Sequence, residues 1–456
     1  MKENISYEEL GMKRKEKNIH RHMTSFQIII LGFLGVILIG SFLLMLPWAT
    51  RTGHGASFKD ALFTATSAVC VTGLVVHDTA TYWSEFGQAV ILLLIQIGGM
   101  GVVTVAIAIT AFSGRKIGLM QRSTMQEAIA APKVGGIVKM TFFILKGTFV
   151  IECIGAVVLS TVFIKDYGLV KGIWYSIFHS ISAFCNAGFD LMGAQGWYSS
   201  LTGYASCPVV NITIMLLIVT GGIGFMTWED IKCHHIHWDK YRMQSKVIFT
   251  MTTGLIILPA FYFFFREFKG EPMQLRILSS LFQAVTPRTA GFNTMNLARM
   301  SDTGKMITIL LMLIGGAPGS TAGGMKVTTI AVLGALAFSS FRQRTTTHLY
   351  NRCVCDETLK NAATILLMYI GLFMCGGMVI SSIEHINLMD ALFETGSAIG
   401  TVGLTLEITP GLGEVSRMIL IGLMFFGRVG GLTLIYATLS GKRVESKYPQ
   451  EKITVG

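Results

Sequence analysis

Charge is what this 456-residue chain lacks: Asp, Glu, Lys and Arg together make up 14% of it. Soluble proteins carry about 25%. Hydrophobic residues reach 52%, and the mean hydropathy is +0.58. Length alone would suggest about three soluble domains, but so few charges cannot cover a soluble surface of that size. The chain belongs in a bilayer. Disorder, collagen and a disulfide scaffold are excluded by the same composition. No two of the 8 cysteines form a C-x-x-C pair, and several fall in apolar stretches, which argues against a disulfide framework. Neither H-E-x-x-H nor G-x-S-x-G occurs, and His179 stands alone in its apolar stretch, so no enzyme is expected. No A-x-A site follows the first apolar run, which reads as a retained membrane helix.

Long apolar runs are abundant. Eight stretches reach the roughly 20 residues a span requires: 26–46, 86–113, 137–164, 209–228, 247–265, 306–341, 361–383 and 418–439. Four more, at 58–69, 174–185, 275–286 and 388–399, are too short to span and have the length of re-entrant helices. The order is span, short helix, span, four times over. This predicts an all-α polytopic membrane protein of four pore repeats, at 24–114, 137–231, 246–341 and 358–441, with polar tails at 1–23 and 442–456. If every span crosses, both termini and the loops after the second, fourth and sixth spans share one side. That side carries 23 Lys and Arg against 10 on the other. The net charge of +11 is thus a positive-inside bias rather than a sign of nucleic-acid binding. Both termini are expected in the cytoplasm, and the short helices enter from outside.

The short segments are similar to one another. They read DALFTATSAVCVTGL (60–74), YSIFHSISAFCNAGF (175–189), SSLFQAVTPRTAGF (279–292) and DALFETGSAIGTVGL (390–404). Each ends at a glycine, Gly73, Gly188, Gly291 or Gly403, and the glycines lie 115, 103 and 112 residues apart. Repeats of that length indicate fused subunits. Irregular backbone at membrane depth is tolerated only where protein buries it or it lines a cavity. Glycine admits positive φ there, so that carbonyl oxygens can face a common axis and replace the hydration shell of K+. Thr401-Val402-Gly403 matches the core of the potassium-filter sequence. Val71-Thr72-Gly73, Asn186-Ala187-Gly188 and Thr289-Ala290-Gly291 are degenerate versions. Fewer well-formed ion sites and looser selectivity than in a tetrameric channel are expected.

On these motifs the chain resembles the Trk/Ktr/HKT superfamily of potassium transporters, and within it the bacterial Ktr-type membrane subunit, over about residues 24–441. The resemblance implies pseudo-fourfold symmetry around one central pore, potassium uptake across the cell membrane and sodium as a modulator. It also implies a homodimer and a cytosolic ring of regulatory subunits that bind the nucleotide in place of this chain. No metal site beyond K+ is expected. A sodium-coupled secondary transporter is the alternative, but broken helices there occur in inverted repeats, whereas all four units here share one orientation.

The sixth span is interrupted by Gly315-Gly316-Ala317-Pro318-Gly319-Ser320-Thr321-Ala322-Gly323-Gly324. The other second spans carry only Gly98-Gly99-Met100-Gly101, Gly221-Gly222-Ile223-Gly224 and Gly427-Arg428-Val429-Gly430-Gly431. The interruption is therefore expected in one unit of four, as a flexible plug below the filter, and the resemblance implies a gate at this place. A packed kink is the plainer reading. An Arg at mid-membrane is costly without a partner. Arg428 is expected to donate to carbonyls of this loop, holding it across the pore and repelling cations, with a brace to Glu152 as the alternative. Lys326 lies near the cytoplasmic end of its span, and Arg288 is expected behind the filter. Cys233, His234, His235 and His237, like His348 with Cys353 and Cys355, have too little ligand spacing to argue for metal.

Overall fold

The computed structural model describes residues 24–113, 117–129, 135–194, 196 and 198–438. The two tails, and Arg115, Lys116 and Lys133 of the charge count, lie outside the described residues. Helix dominates. The first quarter holds α1 (Ser25–Leu44), α2 (Phe58–Val69), α3 (Thr79–Tyr82), α4 (Glu85–Met100), α5 (Val102–Phe112) and α6 (Leu119–Ala128). Next come α7 (Ile137–Tyr167), α8 (Leu169–Phe184), α9 (Pro208–Gly222) and α10 (Phe225–His234). Then follow α11 (Met243–Tyr262), α12 (Met273–Val285), α13 (Asp302–Leu313) and α14 (Val327–Phe341). The last are α15 (Asp356–Glu384), α16 (Leu388–Gly400), α17 (Glu414–Val429) and α18 (Gly431–Thr438). Among the described residues the only sheet is an antiparallel hairpin of β1 (His348–Leu349) and β2 (Arg352–Cys353).

Local chemistry sets the helix starts. Thr24 and Gln27 form a capping box on α1. Ser57, Ser84 and Ser301 accept from the first-turn amides of α2, α4 and α13, satisfying donors that no helical carbonyl reaches. Pro208 stands at the start of α9, where its missing N–H costs nothing. By length and composition α1, α7, α15 and Met243–Glu267, which adds a π-helical turn to α11, can each cross a bilayer. Counting the bent pairs α4–α5 and α9–α10 as single spans makes six. Exposed Leu31, Ile39 and Phe42 on α1, Phe149, Ile154 and Val157 on α7, and Leu367, Ile370 and Met378 on α15 give these helices apolar outer faces. A helix apolar all round is covered by lipid or protein.

None of the four stretches expected as second spans is one straight helix, which corrects the expectation of a single interruption. α4 and α5 meet at 95°, and α9 and α10 at 96°. Gly430 divides α17 from α18, and residues 314–326 divide α13 from α14. The cause is a repeated glycine: Gly101 (φ 86, ψ 131), Gly224 (φ 89, ψ 143) and Gly430 (φ 89, ψ 136) adopt backbone that side chains with a Cβ disfavour. What distinguishes the third unit is the length of its break.

Candidate functional site

The short helices α2, α8, α12 and α16 bury a phenylalanine at the equivalent place, Phe63, Phe178, Phe282 or Phe393, at 0–1% exposure. After each helix the backbone turns through a non-glycine residue at positive φ: Val71 (57°), Asn186 (59°), Thr289 (66°) and Thr401 (51°). Two residues on, Gly73, Gly188, Gly291 and Gly403 have φ of 92°, 68°, 82° and 91°. Each segment thus carries two positive-φ residues with one residue between them. Val71 through Gly73 and their counterparts are the residues read as filter strands, and every side chain among them is buried.

The glycines close a ring. A Cβ on Gly73 would collide with the Ala187 carbonyl, one on Gly188 would lie 2.6 Å from the Ala290 oxygen, one on Gly291 would strike the Val402 oxygen, and one on Gly403 the Thr72 oxygen. The contacts run from the first segment to the second, third, fourth and back. A hydroxyl stands behind each strand: Ser67 and Ser397 accept from the Gly73 and Gly403 amides at 3.1 and 2.9 Å. Ser182 and Thr286 donate to the Phe189 and Phe292 carbonyls at 2.7 and 2.5 Å. The sequence reading passed over these four. Their signal is a Ser or Thr six residues before the glycine, or five in the third segment.

Loop 315–324 sits against the end of the ring at which the short helices run into the strands. Thr321 Oγ1 donates to the Phe184 carbonyl at 3.0 Å and approaches Asn186 Oδ1 at 3.1 Å. A Cβ on Gly323 would overlap Thr401 Oγ1, and Gly316 faces Ala322 across the loop. Backbone bonds fasten the loop on three sides: Ala317 N to Gly222 O at 2.9 Å, Phe225 N to Gly319 O at 2.8 Å, and Gly324 N to Gly427 O at 3.1 Å. Arg428 closes it. Nη1 donates to the Thr321 carbonyl, and Nη2 to the Gly98 carbonyl and, at 3.1 Å, to that of Gly99. Lys326 folds back on the loop, with Nζ 2.6 Å from the Ala322 oxygen. Glu152 takes no part; its Oε2 accepts from Gln96 Nε2 at 3.2 Å.

Below the loop lies a cavity of about 370 Å³ bordered by Phe33, Met100, Ile129, Pro318, Lys326 and Arg428. The Arg288 side chain lines a separate small cavity with Ile218, Val285 and Thr252, while its carbonyl accepts from Asn186 Nδ2 at 3.3 Å. Beyond the opposite end of the strands Asp78 accepts from the Ala80, Thr81 and Tyr198 amides at 3.1, 2.9 and 3.2 Å. Burial pushes Asp190 up to about 7; a bond from the Met192 amide opposes this, and the Asp78 charge adds to it. Among the described residues no group of three or more His, Cys, Asp or Glu is placed to hold a metal, the 233–237 cluster included.

The TrkH family, described as a cation transport protein, matches residues 5–446. The potassium/sodium uptake protein NtpJ of Enterococcus hirae is 39% identical over 97% of this chain and 99% of that one. The Ktr system potassium uptake protein B of Bacillus subtilis is 37% identical over 94% of this chain and 96% of that one. The crystal structure of the potassium transporter TrkH from Vibrio parahaemolyticus has the same fold, with a TM-score of 0.71 at 20% identity, covering 91% of this chain and 85% of that one. The protein is thus a membrane cation transporter, not an enzyme: the chain belongs to the TrkH family of cation transport proteins.

Proposed function

We propose that this chain takes up K+ across the cell membrane through the ring of four glycine segments, arranged with pseudo-fourfold symmetry, and that loop 315–324 with Arg428 is its gate. The observation that carries the reading is the closed circuit of contacts Gly73–Gly188–Gly291–Gly403 with the loop seated at one end of it. Carbonyl oxygens aimed at one axis replace the hydration shell of an alkali cation at little cost. A tripeptide that differs in each segment yields fewer matched oxygen rings than four copies of one sequence, which supports modest K+ over Na+ preference. The loop blocks the path by occupying it, and the Arg428 guanidinium adds a positive charge against a cation. Positive residues on one side of the membrane support cytoplasmic termini.

The names of the Ktr relatives speak of a system, which supports partner subunits: a homodimer of this chain on a cytosolic ring that binds the regulatory nucleotide. A second reading, sodium-coupled potassium transport, is favoured by one observation, the potassium/sodium naming of the 39%-identical relative. The deciding experiment measures K+ flux into liposomes carrying the purified protein, at zero and added Na+. Flux down the K+ gradient without Na+, increased by shortening loop 315–324, supports a gated pore. Flux that requires Na+ and carries it at fixed stoichiometry sinks the pore reading in favour of coupled transport.

A further inference from the structure

Each of the four buried phenylalanines is followed by a polar residue that is itself buried: Thr64, His179, Gln283 and Glu394, at 0–3% exposure. Two of the four titrate, and they belong to the second and fourth segments. Those segments face each other, because in the ring order Gly188 and Gly403 are separated on both sides by Gly73 and Gly291.

His179 Nε2 accepts the Leu191 N–H at 3.3 Å. Its Nδ1 lies 2.7 Å from the Tyr175 carbonyl oxygen, so the proton sits on Nδ1 and Nε2 is free to accept. Glu394 Oε1 accepts the Leu406 N–H at 3.0 Å and the Thr405 hydroxyl at 2.6 Å; Oε2 accepts the Thr409 hydroxyl at 2.5 Å. Leu191 and Leu406 each lie three residues beyond their ring glycine, and His179 and Glu394 each lie nine before it. Different chemistry thus makes the same tie twice. In each case a short-helix side chain holds the amide at which the strand leaves the ring. Both side chains are fully buried, so water does not replace the bond when it is lost.

We infer that His179 and Glu394 are positioning residues for ion selection. They hold the outer ends of two opposing strands and so set the spacing of the carbonyls between them. This rests on the ring being the selectivity filter. K+ and Na+ differ in how closely oxygens must approach, and a strand free to slide adjusts to the smaller ion.

The test measures K+ and Na+ fluxes separately for purified variants in liposomes. Glu394→Ala and His179→Ala are expected to lower the K+/Na+ flux ratio by about tenfold each, the worth of one buried hydrogen bond. Glu394→Gln and His179→Gln keep an acceptor oxygen at similar reach and are expected to stay within about twofold of the original ratio. Glu394→Asp keeps the carboxyl group but is one methylene short, so it is expected to behave like alanine, and it serves where Glu394→Ala does not fold. Folded alanine or aspartate variants with the original ratio overturn the inference. A loss in the glutamine variants equal to that in alanine also overturns it, since charge or packing would then be the cause. Gly403→Val is measured alongside. If it too keeps the ratio, the filter reading itself fails; if it alone loses the ratio, only the positioning role falls.

Discussion

Replacing Arg428 by alanine removes the one side-chain bond that joins α17 to the Thr321 carbonyl of the loop, together with two that join α17 to the Gly98 and Gly99 carbonyls of α4. Only the first resists opening of the loop directly. A hydrogen bond with a charged partner is worth roughly 1.5–3 kcal/mol. At about 1.4 kcal/mol per tenfold, the closed-to-open ratio shifts by about 10- to 150-fold. The loop keeps its backbone bonds to Gly222, Gly427 and Phe225, so the closed state persists and flux increases without the gate being abolished. Arg428→Lys separates the two parts of the argument. Lysine keeps the charge in the path, but its single ammonium cannot bridge Thr321 and Gly98 as the guanidinium fork does. Its flux should fall between those of the original protein and Arg428→Ala. The assay is K+ flux into liposomes, normalised to the amount of folded protein. Arg428→Ala protein of unaltered thermal midpoint with unchanged or lower flux would refute the latch. Arg428→Lys with unchanged flux would assign closure to charge alone.

Gly403→Val and Gly73→Val should abolish K+ preference, because positive φ and a Cβ that meets a neighbouring carbonyl are both forbidden to valine; retained preference in the flux assay would count against the filter. At the bends, Gly101→Ala meets no atom closer than 3.8 Å, so it should cost only backbone strain of about 1–3 kcal/mol. Gly224→Ala also brings a Cβ to 2.8 Å from the Pro318 oxygen and should lower the thermal midpoint further while raising flux by displacing the loop; equal midpoints for the two would refute that contact. Asp190 holds its proton up to about pH 7 when folded, above its ordinary carboxylate range. Its contribution to stability is therefore complete at low pH and lost as pH rises through 7. Asp190→Asn should flatten the fall in thermal midpoint between about pH 4 and pH 7, and an unchanged fall would refute the assignment.

Much of the site was legible because local geometry leaves a local mark. The short helices ended where apolar residues gave way to glycine, and positive φ selects glycine at Gly73, Gly188, Gly291 and Gly403. The buried phenylalanines were visible in the shared Phe of the four segments, but the polar residues after them were not, since Thr64, His179, Gln283 and Glu394 share no chemistry. The bends were misread for a different reason. Gly101 and Gly224 lie in apolar runs of full spanning length, and hydropathy sums over a bend without registering it.

Composition and spacing alone thus determined that the chain is a membrane protein, that a short segment ending in glycine recurs four times, and which glycines and which loop are distinctive, because each is a property of one stretch of backbone and its solvent. Only the tertiary structure decided what those parts touch. The order of the ring, the seat of the loop against Asn186 and Thr401, and the choice of Thr321 and Gly98 over Glu152 as partners of Arg428 all join residues separated by 78 positions or more in the chain. Such pairings depend on how the helices pack, and no periodicity within a single segment encodes them.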